Sequence, residues 1–328
     1  MTDAPNPKYQ PISGQSLPRF AGVPSFMRLP LLDLDHTDIH EIDIGLIGVP
    51  WDGGTTNRPG PRHGPRALRD YSTMLRAVHP STGVRPFELS NCADLGDVGA
   101  NPADIVDAMD RIARFYKKVV SKGILPMTVG GDHLVSLPVL RGIAADGPVG
   151  MIHFDAHTDL FDSYFGGFKY THGTPFRRAI EEGLLAPERT IQVGIRGTMY
   201  DGEDIEWGRS QGVTIIPIED FFERGIESVM SQARAIVGHM PTYCSFDIDF
   251  IDPAYAPGTG TPEVGGPTSF QAQQVVRALR GLNIVGADLV EVSPPFDPSG
   301  TTAWLGASIL FELLCILSEA SASKRATT

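Results

Sequence analysis

Cysteine is scarce in this sequence. Only Cys92, Cys244 and Cys315 occur among 328 residues, far apart and with no C-x-x-C motif. That excludes a disulfide framework and a thiolate metal cluster, and it suits a reducing cytoplasm. No run approaches about 18 consecutive apolar residues, so no membrane-spanning helix is expected. The opening MTDAPNPKYQ has neither a basic nor an apolar region, so no secretory leader is expected. Positive charge is the minority sign: 27 Lys and Arg against 39 Asp and Glu leave a net charge of −12. Nucleic acid and anionic membranes both want a basic face, so neither is expected as a partner. Internal repeats and low-complexity segments are missing, and no linker divides the chain.

The sequence is rich enough in apolar residues, at 41%, to bury a full core. Residues 1–40 hold much Pro and Ser without periodicity and read as an extended arm that packs on a neighbouring subunit. Residues 41–322 read as one domain. From Ile42 the run IDIGLIGVP looks like a buried strand. Asn101-Pro102 signals a helix start, and Ile105, Met109, Ile112, Tyr116 and Val119 share one helical face until Gly123 stops it. Further strand-like runs follow at 124–129, 148–154, 190–195, 213–218, 241–246 and 283–292. Helix-like segments separate them near 134–145, 174–184, 203–211, 226–238 and 269–281, and another follows at 303–319. Strict alternation implies an α/β fold with a mostly parallel sheet covered on both faces.

In such sheets the working residues gather beyond the carboxyl ends of strands. The polar clusters fall there: GGDHL after 124–129, DAHTD after 148–154, DIDFIDP after 241–246 and EVSPPFD at the end of 283–292. A loop carrying THGTPF (171–176) follows the second. In extended chain, residues i, i+2 and i+4 point the same way. Asp155, His157 and Asp159 therefore reach one point, and so do Asp247 and Asp249. With His133 they make two imidazoles and four carboxylates. Unpaired carboxylates at one rim repel, and cations resolve the repulsion. An oxygen-rich set with two imidazoles suits Mn²⁺, with Ni²⁺, Co²⁺ or Fe²⁺ as alternatives, and six ligands suit two ions. A lone D-x-D is more often a turn or cap; four strand ends offering polar groups together are not. Asp252, before Pro253, reads as a turn residue, and His153, inside an apolar strand, as a satisfied core histidine.

The segments GGDH (130–133), DAHTD (155–159), THG (171–173), SFDIDFIDPAYAPGTGTPEVGG (245–266) and EVSPPFD (291–297) resemble the ureohydrolases: arginase, agmatinase and the guanidino-acid hydrolases. The flanks are most similar to guanidinopropionase and guanidinobutyrase. The resemblance implies a three-layer α/β/α sandwich and two metal ions. One ion would take His133, Asp155, Asp159 and Asp247; the other would take Asp155, His157, Asp247 and Asp249, with Asp155 and Asp247 bridging. It also implies that Glu291 binds the guanidinium, that His172 handles protons, and that Asp159 aims an activated water. The substrate would be a small guanidino compound, and the chain would assemble as a trimer or hexamer, alone or with a second kind of subunit. A non-catalytic subunit of a mixed assembly is the competing class, and its signature would be lost ligands.

One position departs from the family. Two residues past Asp159, where Asn is common and in arginase helps hold the substrate carboxylate, this chain has Phe161. Either the loop repacks with Phe161 in the core, or the pocket is apolar beside the metals. In the first case a guanidino acid such as 3-guanidinopropionate or 4-guanidinobutyrate still binds, with Arg58, Arg62, Lys169 or Arg177 as candidate donors. In the second, a carboxylate-free guanidine fits: an alkylguanidine, guanidine itself or a biguanide such as metformin. Agmatine is a further alternative. The guanidino acid is the leading expectation.

Overall fold

A computed structural model describes residues 6–327. Its elements, in chain order, are β1 (Ile44–Val49), α1 (Gly64–Ser72), α2 (Pro86–Leu89), β2 (Cys92–Asp97), α3 (Ile105–Ser121) and β3 (Leu125–Gly130). Then come α4 (Ser136–Ile143), β4 (Val149–Phe154), α5 (Pro175–Glu181), β5 (Leu185–Ile195), α6 (Glu203–Gln211) and β6 (Thr214–Pro217). The chain closes with α7 (Ile218–Val237), β7 (Thr242–Asp247), α8 (Ser269–Arg277), β8 (Ile284–Val290) and α9 (Thr301–Thr327).

The strands form one eight-stranded sheet in the order β2-β1-β3-β8-β7-β4-β5-β6. Every adjacent pair is parallel. One face packs on α1, α7, α8 and α9 and the other on α3, α4, α5 and α6, so the expected three layers form. Burial on both faces explains why β1 and β4 read as mostly apolar runs rather than alternating ones. Helix α9 is long and apolar enough to span a bilayer, yet it is a core helix, buried against α1, α8 and the sheet.

Several boundaries differ from expectation. Helix α3 begins three residues later than Asn101-Pro102 suggested, because the Asp104 carboxylate accepts from the backbone N–H of Val106 and Asp107 and so caps it. Asn101 instead organises the approach, donating to Asp107 at 2.8 Å and accepting from Ala103 N. The helix stops as expected at Gly123, whose φ of 79° favours glycine. Helix α7 starts at Ile218, well before 226, with a break at Gly225 (φ 75°). The arm does not wait for a neighbour to cover it. Tyr9, Phe26, Met27 and Leu29 are buried in this chain's own core, and Leu31 bridges to Asp94 beside β2.

Candidate functional site

The four strands whose ends carry the polar clusters are neighbours at the centre of the sheet, in the order β3-β8-β7-β4. The sequence placed the clusters at strand ends; the topology places those ends side by side. Glycine makes the first turn off the sheet achievable. A Cβ on Gly131 would collide with the Trp51 carbonyl, so the chain leaving β3 passes under Trp51 only because that position is bare. His133 then lies at the start of a short 3₁₀ turn.

His133 Nδ1 faces three carboxylates, at 2.9 Å from Asp159 Oδ2, 3.1 Å from Asp155 Oδ2 and 3.2 Å from Asp247 Oδ2. A second group lies alongside: His157 Nδ1 is 3.1 Å from Asp249 Oδ2 and 3.4 Å from Asp155 Oδ1. Asp155 therefore presents one oxygen to each group. All six residues expected from the sequence converge. His133 and the four aspartates are buried and His157 is half-buried.

The hydrogen bonds fix what His133 offers. Asp288 is buried and accepts from Tyr243 OH (2.6 Å), Ser136 Oγ (2.6 Å), Ser245 Oγ (2.8 Å) and Phe246 N (3.2 Å). The Ser245 hydroxyl proton is thus spent on Asp288, so the 2.9 Å contact between Ser245 Oγ and His133 Nε2 must have the imidazole as donor. In the neutral ring that leaves Nδ1 as a bare lone pair among three carboxylates. Nδ1 is buried with no hydrogen-bond partner. Burial first, and the neighbouring charges of Asp249 and Asp155 second, push the Asp247 carboxyl well above its ordinary range. Burial and Asp155 likewise raise Asp249 to about 6. A lone pair and crowded carboxylates around common points are the chemistry of a divalent-cation cage, so the residues fit the expected ions.

Substrate-facing groups complete the rim. Glu291 follows β8 directly and is 1% exposed. Its Oε1 accepts from His133 N and from His172 Nδ1, both at 2.9 Å, while Oε2 is buried without a partner. His172 Nε2 meets Thr56 N at 3.1 Å and Thr56 Oγ1 at 2.8 Å. The backbone of Asp159 (φ 53°) and of Glu291 (φ 63°) lies in the left-handed region, which costs non-glycine residues about 1–3 kcal/mol. Met27, Arg28 and Phe165 share this conformation outside the site.

A cavity of about 260 Å³ opens over these groups. Phe161 lines it, half-buried, with its ring edge-on to Tyr164 (5.4 Å) and Tyr200 (5.9 Å). Phe161 has not turned into the core, so of the two readings the structure places it on the wall. None of the four candidate cations lines the cavity. Arg58 donates to Thr259 O and Gly260 O and stacks on Phe296. Arg62 pairs with Asp52, Arg177 lies over Trp207, and Lys169 is exposed. Asp252 is the turn residue expected, accepting from Ala254, Gly265 and Gly266 N–H groups. Thr56, Tyr164, Tyr200 and Glu263, to which no sequence pattern assigns a role, also line the cavity. Glu263 lies within the family-like segment 245–266 and approaches His157 Nε2 at 3.7 Å.

At the carboxyl rim of an all-parallel α/β sheet, clustered His and Asp side chains that fit divalent cations lie beside a buried, half-satisfied glutamate. The sequence profile of the arginase family matches residues 42–315. Over 313 residues the chain is 56% identical to guanidinopropionase of Pseudomonas aeruginosa, covering 95% of this chain and 97% of that protein. It is 46% identical to guanidinobutyrase of the same organism, covering 94% and 97%. The solved structure of proclavaminate amidino hydrolase from Streptomyces clavuligerus superposes with a TM-score of 0.87 at 38% identity, covering 92% of this chain and 99% of that one. The chain belongs to the arginase family.

Proposed function

We propose that this chain adds water across the central carbon of a guanidino compound, releasing urea, or a substituted urea, and an amine. The observation that carries this is Glu291 Oε2, a buried carboxylate oxygen without a partner beside the cation cage. A planar guanidinium supplies the missing N–H donors and the opposite charge. His133, Asp155, Asp159 and Asp247 would hold one divalent ion, and Asp155, His157, Asp247 and Asp249 the other, with Mn²⁺ preferred and Ni²⁺ the alternative. When bound, the pair supplies a hydroxide at neutral pH.

The remaining steps belong to side chains. Glu291 orients the guanidinium through Oε2 while His133 N and His172 hold its other oxygen. Asp159 accepts a hydrogen bond from the attacking water and aims it. His172 gives its proton to the leaving nitrogen and the Asp159 carboxylate takes the hydroxyl proton of the adduct, so that the C–N bond breaks to a neutral urea and an amine. Burial works against a charged His172, but Glu291, with Asp132 and Asp159 behind it, outweighs burial and raises the imidazole to about 9. The proton is therefore in place at neutral pH. Charged, Nε2 donates to Thr56 Oγ1; neutral, it accepts from Thr56 N.

For the substrate tail, the likeness to guanidinopropionase supports a guanidino acid such as 3-guanidinopropionate or 4-guanidinobutyrate. A second reading rests on the wall. Among the described residues no Lys or Arg lines the cavity, and Phe161, Tyr164, Met199 and Tyr200 do, which supports a carboxylate-free guanidine such as metformin. The deciding experiment measures urea and amine release from 3-guanidinopropionate, 4-guanidinobutyrate, agmatine and metformin, with Mn²⁺ and with Ni²⁺. Release from none of them overturns the proposal. Three free, buried cysteines support a cytoplasmic setting. Phe20 and Val23, 94% and 86% exposed on the arm, support assembly into a trimer or hexamer, which light scattering on the purified chain would read. The intact ligand set supports a catalytic rather than a silent subunit.

A further inference from the structure

A row of polar side chains crosses the middle of the sheet beneath the cage. The strand registers pair Gln192 on β5 with His153 on β4, His153 with Ser245 on β7, Ser245 with Asp288 on β8, and Asp288 with Thr128 on β3. All five are fully buried in the interior of the sheet. Ser245 and Asp288 already have a task, since they set the proton of His133. His153 and Gln192 have none in the reaction described above.

Their hydrogen bonds allow one proton arrangement. Gln192 contacts the Thr158 carbonyl at 2.6 Å, and a carbonyl only accepts, so the amide nitrogen must point there. The same nitrogen meets His153 Nδ1 at 3.1 Å, so Nδ1 is the acceptor and the imidazole proton lies on Nε2. His153 Nε2 is 2.8 Å from Asp155 Oδ2, the oxygen that also faces His133 Nδ1. His153 is thus a neutral donor locked onto the carboxylate shared by both ligand groups. Phe176 holds the ring edge-on, with centroids 4.5 Å apart, and also packs on His133.

We propose that Gln192 and His153 are positioning residues for the cation cage. Gln192 sets the tautomer of His153, and His153 fixes the rotation of Asp155, so that Oδ2 keeps a lone pair toward His133 and Oδ1 stays toward His157. The inference rests on the two-ion reading of the site. It extends that reading from the residues that touch the ions to a strand, β5, that contributes none of them. Outer partners of this kind carry much of a metal site's affinity.

Three variants test it. Gln192→Met keeps much of the bulk but removes the N–H that His153 Nδ1 accepts from, so the imidazole proton is no longer held on Nε2 toward Asp155. His153→Phe keeps the bulk and removes the donor. His153→Gln returns a donor near the Nε2 position. Metal content after dialysis against buffered Mn²⁺, and the Mn²⁺-induced rise in Tm, are read for each against the wild-type chain. The expected result is about 10–100-fold weaker loading of at least one ion in Gln192→Met and His153→Phe. His153→Gln recovers most of that loss. Folded variants that load Mn²⁺ like the wild type, with only the metal-free Tm lowered, would reduce the pair to packing and overturn the inference alone. A wild-type chain that binds no divalent ion would overturn it together with the proposed function.

Discussion

His172 Nδ1 and Glu291 Oε1 lie 2.9 Å apart, both buried, at the point where the loop after β4 meets the end of β8. The pair is an acid held beside the group expected to grip the substrate. Glu291 outweighs burial and raises His172 to about 9, so the acid is loaded at neutral pH and empties above 9. Turnover is expected to fall on the alkaline side through about 9. His172→Phe is expected to lower turnover by about 10²–10⁴-fold and to lose that limb, with metal content unchanged. The sign for stability follows from the same shift. A histidine raised above its unfolded value contributes fully below about 6.5, and the contribution disappears as pH rises through about 9. The Tm gap between the wild type and His172→Phe, both metal-free, should therefore shrink between pH 6 and pH 10.

Cation binding should fail from the acid side. Burial, then the charge of Asp155, raise Asp249 to about 6, and Asp247 is also pushed up. Protons compete with metal for these oxygens, so Mn²⁺ affinity is expected to fall as pH drops below about 6. Titrating the metal-free chain with Mn²⁺ at pH 5 and pH 7.5 checks this; equal affinity at the two values would contradict it.

Asp155 faces both imidazoles, so its loss should be the most damaging of the cage. Asp155→Asn is expected to abolish turnover and to leave fewer than two ions per chain by elemental analysis. An active, metal-free Asp155→Asn chain would defeat the two-ion scheme.

Glu291→Gln keeps the shape and replaces the free oxygen or its twin with an amide. A charge-assisted hydrogen bond is worth about 1.5–3 kcal/mol, roughly 10–100-fold. The variant is expected to lose at least that much in kcat/KM for any guanidinium substrate while still loading metal.

Phe161→Asn places hydrogen-bonding groups on the apolar wall. One such bond to a carboxylate is worth about tenfold or more. The ratio of kcat/KM for 3-guanidinopropionate over metformin should rise by that factor. An unchanged ratio would remove Phe161 from specificity.

The parallel sheet and the six His and Asp side chains that come together at its rim were legible from local patterns. Apolar runs mark buried strands, and alternate positions such as Asp155, His157 and Asp159 share a side. Strand β2, CADLGD, was missed because only its first four residues are buried and its far end turns polar at the sheet edge. Helix α1, GPRALRDYS, is short and opens on Gly-Pro, which reads as a turn. His153 read as a core histidine, which its burial supports, but its partner is Asp155. Gln192 gave no signal at all. Its role depends on which residue of β4 lies opposite it, and register between strands separated by a helix is not written in either strand.

The walls of the cavity and its floor answer to different constraints. Phe161 and Tyr200 come from two connections at the rim, whereas Gln192, Ser245 and Asp288 sit on strands locked into register across the sheet. Exchanges in those connections leave every strand pairing intact, so new appetites can evolve by retouching a few rim positions while the hydrolytic core is inherited unaltered.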